Sequence, residues 1–318
     1  MNAGYNTVDM DTLVCKGLNK EYEPGKYALS SVSFSIPASG IFALIGRNGA
    51  GKTTLVRILA TQLMPTSGSA TIDGMDVVRD ADRLRESIAC VPQEARLIGW
   101  LTPKQLVMSY LYWRGFGKAE ADDRGMAALR KLGIERFANT LGRALSGGIK
   151  RKVLVAAVMA SEARVLFLDE PTTGLDPISR AELWGTLQKL KKDHFIFLTT
   201  HYLEEAERLA DTIGILDNGR LMAMGTLEEL RGMVRYPYSI KILSKTGVEK
   251  PKHGELIVGA DGQKQIVTTE DEANRISTKL IRAGVRLSMS PLSLDDIFYY
   301  VVRKPIEAGD NNDEEESW

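Results

Sequence analysis

The sequence predicts a parallel α/β fold over most of its length, followed by a small α+β unit. Three continuous apolar runs, at residues 41–45, 165–168 and 195–198, have the composition of strands that are buried on both faces. Segments with a helical pattern separate these runs, as at residues 53–63 and 178–191. Buried strands that alternate with helices are typical of a parallel sheet that helices cover on both sides.

Shorter elements complete the predicted core, which we place at residues 11–234. Further strands are predicted at residues 13–18, 32–36 and 69–72, where short runs of β-favouring residues end in turn signals. Further helices are predicted at residues 103–114, 119–132, 149–160 and 203–209. The first two of these helices lie in a stretch at about 94–145 that we expect to form a helical subdomain.

The pattern changes near residues 231–237, and the remainder predicts a small α+β appendage at 235–303. Its expected strands lie at residues 239–243, 256–258, 265–268 and 285–289, and its expected helices at 271–283 and 294–302. The tail at 304–318 is predicted to be disordered, because residues 308–318 carry five acids and little apolar content.

The composition is that of an ordinary globular protein and narrows the classes of function. Hydrophobic residues make up 44% of the 318 residues, and 41 basic side chains balance 41 acidic ones, so no nucleic-acid partner is predicted. Cys15 and Cys90 are too few for a disulfide framework, lie in no metal-binding spacing and fit a reducing compartment. We expect neither a signal peptide nor a membrane span, because the apolar runs fall well short of the ~20 residues that a membrane helix needs.

Residues 46–53, GRNGAGKT, follow a predicted buried strand and open a helix, which is the context that a phosphate-binding loop requires. Glycines let backbone N–H groups approach phosphate oxygens, and the helix start adds partial positive charge. Lys52 is predicted to reach the β- and γ-phosphates, and Thr53 to coordinate Mg²⁺. The predicted nucleotide-binding residues of this segment are Gly46, Arg47, Asn48, Gly49, Ala50, Gly51, Lys52, Thr53 and Thr54.

Two carboxylates, Asp169 and Glu170, end the apolar run at residues 165–168. Asp169 at the strand tip can hold the Mg²⁺ shell, and Glu170 can orient or deprotonate an attacking water. Acidic pairs are also common at strand ends for structural reasons. The phosphate-loop pattern elsewhere in the chain is what favours the catalytic interpretation.

A second glycine-rich segment, LSGG at residues 145–148, directly precedes the helix predicted at 149–160. Ser146 is a good helix N-cap, and a plain cap with flexible glycines is the structural alternative. A bare helix start with two glycines is also an anion site. Because the first loop already serves the chain's own nucleotide, we predict that Ser146, Gly147 and Gly148 contact a γ-phosphate held by another copy.

In this order, the motifs resemble those of the nucleotide-binding subunits of ATP-binding-cassette (ABC) transporters, over roughly residues 11–225. The resemblance also covers Gln93, the segment TGLD at 173–176 and His201. It implies a P-loop NTPase of the ABC ATPase type with a helical subdomain, which binds ATP and Mg²⁺. It further implies a homodimer that sandwiches two ATP molecules and a separate membrane permease as partner, at the cytoplasmic face of the membrane.

The resemblance assigns roles to individual residues. Tyr22 matches the aromatic that stacks on adenine, with Tyr27 as a second candidate and a strand-edge aromatic as the alternative for both. Gln93 matches the residue that senses Mg²⁺ and couples to the membrane partner. Asp176 matches a residue in the loop that crosses the dimer interface, and His201 matches the residue that contacts the γ-phosphate. A surface glutamine, a helix cap and a structural histidine are the respective alternatives. The resulting catalytic set is Glu170, His201, Lys52 and Gln93, and the Mg²⁺ set is Thr53, Gln93 and Asp169.

Departures from the commoner family pattern point towards export. Ile149 stands where much of the family has glutamine, and the KRK run that follows resembles drug- and polysaccharide-exporter subunits. Residues 291–298 resemble the closing segment of ATPases from the antibiotic-exporter branch, and they either regulate or stabilise the dimer or form a passive appendage. Thr173, where serine is more usual, is a mild change that does not bear on export. The predicted partner is therefore an ABC-2-type permease. The alternative is a soluble ABC ATPase with a non-transport role, although no coiled-coil insertion or second cassette is present in this sequence.

Aromatic residues are dense between residues 97 and 117. They either form a surface that receives a partner helix or belong to the core of the helical subdomain. We favour Trp100, which follows Gly99, as a docking residue for a membrane subunit.

Overall fold

The computed structural model describes residues 12–244, 251–258 and 264–303. Its contacts divide the chain into two compact units, with the boundary between Leu221 and Met222. The domain limits inferred from sequence pattern, at 234 and 235, stay a prediction. The tail predicted to be disordered, residues 304–318, lies outside the described residues.

The described residues form fourteen strands and ten α-helices. The strands are β1 (Thr12–Glu23), β2 (Lys26–Pro37), β3 (Ile41–Ile45), β4 (Ser67–Ile72), β5 (Met75–Asp76), β6 (Ile88–Val91), β7 (Val165–Asp169), β8 (Phe195–Thr200), β9 (Thr212–Asp217), β10 (Arg220–Gly225), β11 (Tyr238–Ile242), β12 (Gly254–Val258), β13 (Lys264–Thr268) and β14 (Leu287–Pro291). The helices are α1 (Lys52–Leu59), α2 (Ala81–Ser87), α3 (Pro103–Trp113), α4 (Lys118–Lys131), α5 (Gly147–Ala160), α6 (Pro177–Leu190), α7 (Leu203–Leu209), α8 (Leu227–Gly232), α9 (Glu270–Arg282) and α10 (Leu294–Arg303). None of the described helices combines the length and apolar content that crossing a bilayer requires.

A parallel sheet forms the centre of the first unit, with its strands in the order β9-β3-β8-β7-β6. The three apolar runs form β3, β7 and β8, and every residue of these strands is buried. Their aromatic rings meet in the core, where the Phe42 and Phe197 centroids lie 4.9 Å apart and those of Phe167 and Phe197 lie 5.6 Å apart. Because the strands are parallel, the loops that follow them meet at one edge of the sheet.

A second sheet in the first unit is antiparallel and has the order β2-β1-β4-β5. Its hairpin strands β1 and β2 extend well beyond the predicted 13–18 and 32–36. The added residues lack an apolar alternation, so their sequence carries no strand signal. Pairing of Glu21 with Tyr27 nevertheless continues the ladder and brings Tyr22 close to the hairpin tip.

The helices α3, α4 and α5 pack against one another beside the parallel sheet. α3 begins with a capping box in which Thr102 Oγ1 accepts from the Gln105 N–H at 3.2 Å and Gln105 Oε1 accepts from the Thr102 N–H at 2.9 Å. Val107, Leu111 and Leu129 are fully buried between these helices. This packing places the start of α5 on the same side of the unit as the Gln93 segment, since both line one surface pocket.

The second unit contains an antiparallel sheet of order β12-β13-β11-β14. Ile240, Ile242 and Ile266 form its core together with Ala273 of α9. The strand predicted at 285–289 is observed two residues later, at Leu287–Pro291, so the predicted bounds are wrong. The helix before it ends in a turn at Gly284, whose φ of 76° delays the start of the strand.

Candidate ATP-hydrolysis site

The phosphate-loop segment wraps around the amino group of Lys52. The chain leaves β3 at Gly46, and α1 begins at Lys52 without a side-chain cap. Gly49 and Gly51 have φ values of 81° and 105°, which L side chains rarely adopt. Lys52 Nζ donates to the carbonyl oxygens of Gly46 at 2.8 Å and Arg47 at 3.1 Å. An uncapped helix start and an ammonium group therefore lie together, as phosphate binding requires.

A cavity of about 250 Å³ lies over this loop. Its lining contains most of the predicted nucleotide-loop residues together with two predicted catalytic residues. The lining residues are Ala28, Asn48, Gly49, Ala50, Gly51, Lys52, Thr53, Thr54, Gln93 and Glu170. Gly46 and Arg47 contribute through the carbonyl groups that hold Lys52. The structure thus brings the predicted loop to the predicted base.

The carboxylate of Glu170 is the point at which the predicted catalytic residues meet. Its Oε2 accepts hydrogen bonds from Gln93 Nε2 at 3.1 Å, from Thr173 Oγ1 at 3.0 Å and from His201 Nδ1 at 3.1 Å. Its Oε1 lies 3.5 Å from Lys52 Nζ. Lys52 and Glu170 are only 5% and 6% exposed, so water screens this ion pair little. All four predicted catalytic side chains therefore lie in one hydrogen-bonded group.

The backbone of Glu170 is held in the left-handed region, with φ of 47°. A non-glycine residue in such a conformation persists only where its surroundings over-determine it. Its N–H lies 3.0 Å from Thr199 Oγ1 and 3.2 Å from the Thr199 carbonyl oxygen. Arg151, which is buried, donates to three carbonyl groups: to Pro171 at 2.8 Å and to Asp169 and Glu170 at 3.0 Å each. These contacts fix the direction in which the carboxylate points.

The positions of Arg151, Thr173 and Thr199 around Glu170 were not predicted from the sequence. For Arg151 a signal exists, because Val155 and Val158 follow it at helical spacing and both are buried. A basic residue on the apolar face of a helix must find buried acceptors. The contacts of Thr173 and Thr199 depend on how the turn after β7 folds, and residue spacing does not reveal that fold.

The predicted Mg²⁺ ligands offer a fitting set of oxygen atoms. Thr53 and Gln93 line the cavity, and Asp169 ends β7 directly before Glu170. Because the amide nitrogen of Gln93 donates to Glu170, its amide oxygen remains available to a cation. Hydroxyl, amide and carboxylate oxygens are the ligands that Mg²⁺ prefers. The donor set suits the ion, and the ligand assignment stays a prediction.

Burial and the neighbouring acids have opposite effects on the pKa of Lys52. Burial lowers the pKa of Lys52, and the carboxylates of Glu170 and Asp169 oppose that shift. The acids around the ammonium group thus favour its charged form, against the effect of burial. A phosphate group entering the cavity would compete with Glu170 for this cation.

Tyr22 lies beside the loop, as its predicted role requires. Its Oη is 3.4 Å from Thr54 Oγ1, and its ring is 56% exposed, with Lys20 Nζ 5.4 Å from the ring centroid. Tyr27 is exposed to a similar degree, and neither tyrosine lines the cavity. Adenine stacking by Tyr22 stays a prediction that this placement supports.

The glycine-rich start of α5 does not line the cavity over the phosphate loop. Ser146 caps the helix, with its Oγ accepting from the Ile149 N–H at 3.4 Å. Ser146 and Gly147 are exposed, whereas Gly148 is buried so closely that an added Cβ would lie 2.5 Å from Ser179 Oγ. Within one chain the two glycine-rich segments therefore remain apart.

Asp176 occupies the N-cap of α6. Its side chain accepts from the N–H groups of Ile178 at 3.1 Å and Ser179 at 3.0 Å, and from Ser179 Oγ at 2.6 Å. The hydrogen bonds from Ser179 hold the pKa of Asp176 below its usual value. The helix-cap interpretation thus describes its contacts within the chain, and its predicted place at a dimer interface stays a prediction.

Comparison with known proteins places these features in a family. Residues 29–173 match the family described as ABC transporter. ABC transporter A family member 7 of Dictyostelium discoideum is 38% identical over 240 residues, which are 75% of this chain and 28% of that protein. ABC transporter A family member 6 of Arabidopsis thaliana is 34% identical over 253 residues, which are 77% of this chain and 27% of that protein. The chain therefore spans about a quarter of the length of these relatives.

Solved structures match about two thirds of the chain and are themselves covered over almost their full length. The ATP-binding subunit of an ABC transporter shows 31% identity and a TM-score of 0.61, covering 69% of this chain and 92% of that one. A dimeric post-hydrolysis state of the ATP-binding cassette MJ0796, bound to ADP and Pi, shows 27% identity and a TM-score of 0.61, covering 68% and 98%. The structure of cbiO1 from Clostridium perfringens, part of the cbiONQ transporter complex, shows 29% identity and a TM-score of 0.63, covering 70% and 91%.

The loop glycines provide a matched pair of substitutions. Gly49 and Gly51 both have positive φ, but a Cβ at Gly49 meets no atom within 4 Å, whereas one at Gly51 would lie 2.3 Å from the Ala28 carbonyl oxygen. Gly49→Ala should cost about 1–2 kcal/mol of unfolding free energy from backbone conformation alone. Gly51→Ala should cost clearly more, because it adds the clash. Urea unfolding followed by circular dichroism measures both, and equal midpoints for the two variants would contradict the geometry.

Proposed function

The chain belongs to the ABC transporter family of ATP-binding domains, and from that membership we propose that it hydrolyses MgATP to power transport through a membrane permease. The observation that carries the proposal is the single carboxylate of Glu170, which meets Lys52, Gln93 and His201 at the edge of the nucleotide cavity. This group contains a base, a cation and two polar side chains, as phosphoryl transfer to water requires.

The contacts suggest how each side chain acts in hydrolysis. The γ-phosphate competes for Lys52, which releases one oxygen of Glu170 to orient and deprotonate the attacking water. His201 uses Nδ1 to contact Glu170, so its Nε2 is left to face the γ-phosphate. Thr53, Asp169 and Gln93 would hold Mg²⁺, and the ion would neutralise charge on the phosphate oxygens.

A second copy of the chain completes the proposed site. The start of α5 carries N–H groups that lack helical partners, and Ser146 and Gly147 are exposed there. A γ-phosphate presented by another copy satisfies these donors. Two copies placed head to tail would then enclose two ATP molecules, and loss of the γ-phosphate would loosen the dimer. The dimeric state described for the MJ0796 cassette supports this arrangement.

We propose that the chain lies at the cytoplasmic face of the membrane and that its membrane partner is an ABC-2-type exporter permease. A docking surface for it lies beside Trp100, which is 77% exposed. Two backbone hydrogen bonds join the segment of Trp100 to the segment that carries the exposed Leu141. The Gly142 N–H donates to the Leu101 carbonyl oxygen, and the Arg143 N–H donates to the Gly99 carbonyl oxygen. The exposure of Trp100 supports the docking interpretation over the core interpretation for this residue.

Glu170→Gln is expected to bind ATP and to accumulate as an ATP-bound dimer, because it keeps the hydrogen-bonding shape and removes the base. Steady-state hydrolysis should fall by about a hundredfold or more, within the range that a general base contributes. Phosphate release and size-exclusion chromatography with ATP measure the two effects. Glu182→Gln, a surface change in α6, is the control, and near-normal hydrolysis by Glu170→Gln would exclude the assigned role.

Trp100→Ala is expected to weaken co-purification with a co-expressed ABC-2-type permease and to lower coupled transport. Hydrolysis by the isolated chain should stay unchanged, because Trp100 does not line the nucleotide cavity. Trp113→Ala is the matched control, since Trp113 is 94% exposed and lies at the far end of α3. The docking role fails if Trp100→Ala and Trp113→Ala both co-purify and transport like the wild type.

A further inference from the structure

Glu205 is a buried acid to which the proposed mechanism gives no task. It lies in α7, four residues after His201, and it is 0% exposed. Its Oε1 accepts a hydrogen bond from the indole Nε1 of Trp184 at 2.9 Å. Burying a carboxyl group lowers the stability of the folded chain unless other contacts compensate for it. A buried glutamate at this position therefore suggests a function that outweighs this cost.

Three segments that carry site residues converge on the Glu205 carboxyl. Trp184 of α6 donates a hydrogen bond to it, and the hydroxyl groups of Thr200 and Thr172 lie close to it without a hydrogen bond in full geometry. Thr200 ends β8 immediately before His201. Thr172 lies in the turn that follows Glu170. The carboxyl thus lies between the segment that carries the base and the segment that carries the histidine.

Charged groups surround the same carboxyl from two further directions. Arg180 of α6 and Arg151 of α5 both interact electrostatically with Glu205. Glu205 Oε2, Thr172 Oγ1 and Arg180 Nε are buried without a partner in full hydrogen-bond geometry. Arg151 in turn holds the carbonyl groups of the turn at Glu170. The cluster therefore supports that turn from beneath.

We propose that Glu205 is a positioning residue, whose carboxyl keeps the turn after Glu170 and the strand end before His201 at a fixed separation. The inference rests on the ATP hydrolysis proposed above. Glu170 and His201 contact each other through one hydrogen bond of 3.1 Å, so a shift of either segment disrupts it. A misplacement of about 1 Å in such a site costs about 100-fold in rate.

The neutral form of the acid suits this role. Burial raises the pKa of Glu205, and the hydroxyl, indole and guanidinium groups around it oppose the shift only in part. Glutamine has the same shape without the charge and keeps an oxygen acceptor for Trp184. Glu205→Gln therefore preserves the bridge, whereas Glu205→Ala removes it.

Steady-state hydrolysis and nucleotide binding test the role on the full chain. Glu205→Ala is expected to lower kcat by about 100-fold with little change in KM or in ATP affinity, because the cavity lining is intact. Glu205→Gln should retain most of the wild-type kcat. Glu204→Gln is the control, since this neighbouring glutamate is exposed and pairs only loosely with Arg208, at 3.8 Å.

The outcomes separate this role from the proposed function. A wild-type chain that binds ATP without hydrolysing it would overturn both. An active wild type with an equally active, folded Glu205→Ala would overturn the positioning role alone. If Glu205→Ala fails to fold, Trp184→Phe decides the question, because it removes the hydrogen bond that anchors the Glu205 carboxyl and keeps the ring in the core. An unchanged kcat in Trp184→Phe would then overturn the role.

The pH dependence of stability gives a readout without catalysis. Because the pKa of Glu205 is raised in the folded chain, its contribution to stability is present at low pH and is lost as the pH rises through that pKa. Relative to the wild type, the unfolding free energy of Glu205→Gln should therefore increase as the pH rises above 4.5, the ordinary pKa of a glutamate side chain. Glu204→Gln should show no such gain. Parallel curves for Glu205→Gln and the wild type would overturn the assignment.

Discussion

The ion pair of Lys52 and Glu170 is the constraint on which the site depends. Both groups are almost fully buried, so either one without its partner would be an unpaired buried charge that destabilises the folded chain. Glu170 has four partners, and they come from the loops that follow β3, β6, β7 and β8. Only a parallel sheet brings those loops to one edge, because it aligns the carboxyl ends of its strands. The parallel topology of the first unit thus brings together the four side chains that hydrogen-bond or pair with the buried carboxylate of Glu170.

Arg151 links this constraint to the second glycine-rich segment. The turn at Glu170 holds a left-handed residue, and the guanidinium group fixes three successive carbonyl groups of that turn. Arg151 lies on α5, only five residues after its cap, Ser146. A helix is rigid over so short a distance. Any displacement of the helix start therefore reaches the turn at Glu170 through three hydrogen bonds, which would connect the proposed contacts with a second copy to the proposed base.

The sequence predicts the parallel strands well because burial on both faces leaves an unambiguous apolar run. β3 is observed at the predicted residues 41–45, and β7 and β8 gain only polar residues at their carboxyl ends. The hairpin of β1 and β2 was underestimated, because its outer part is exposed and its pairing is not encoded in apolar alternation. The loop residues and the acids could be predicted from their spacing. The partners of Glu170 could not, since the contacts of Thr173, Thr199 and Arg151 arise only when the turn folds.

The start of α5 explains why one chain does not complete the proposed site. Ser146 Oγ accepts from the Ile149 N–H, and the Lys150 N–H is bonded to the Ser146 carbonyl oxygen. The N–H groups of Gly147 and Gly148 then remain at the open end of a 14-residue helix, where the helix dipole favours an anion. No side chain of the chain's own phosphate loop can satisfy them, because the two segments line different pockets. Of these two residues, Gly147 is exposed and Gly148 is buried. A nucleotide held by the phosphate loop of a second copy would supply an anion that matches the charge of these donors.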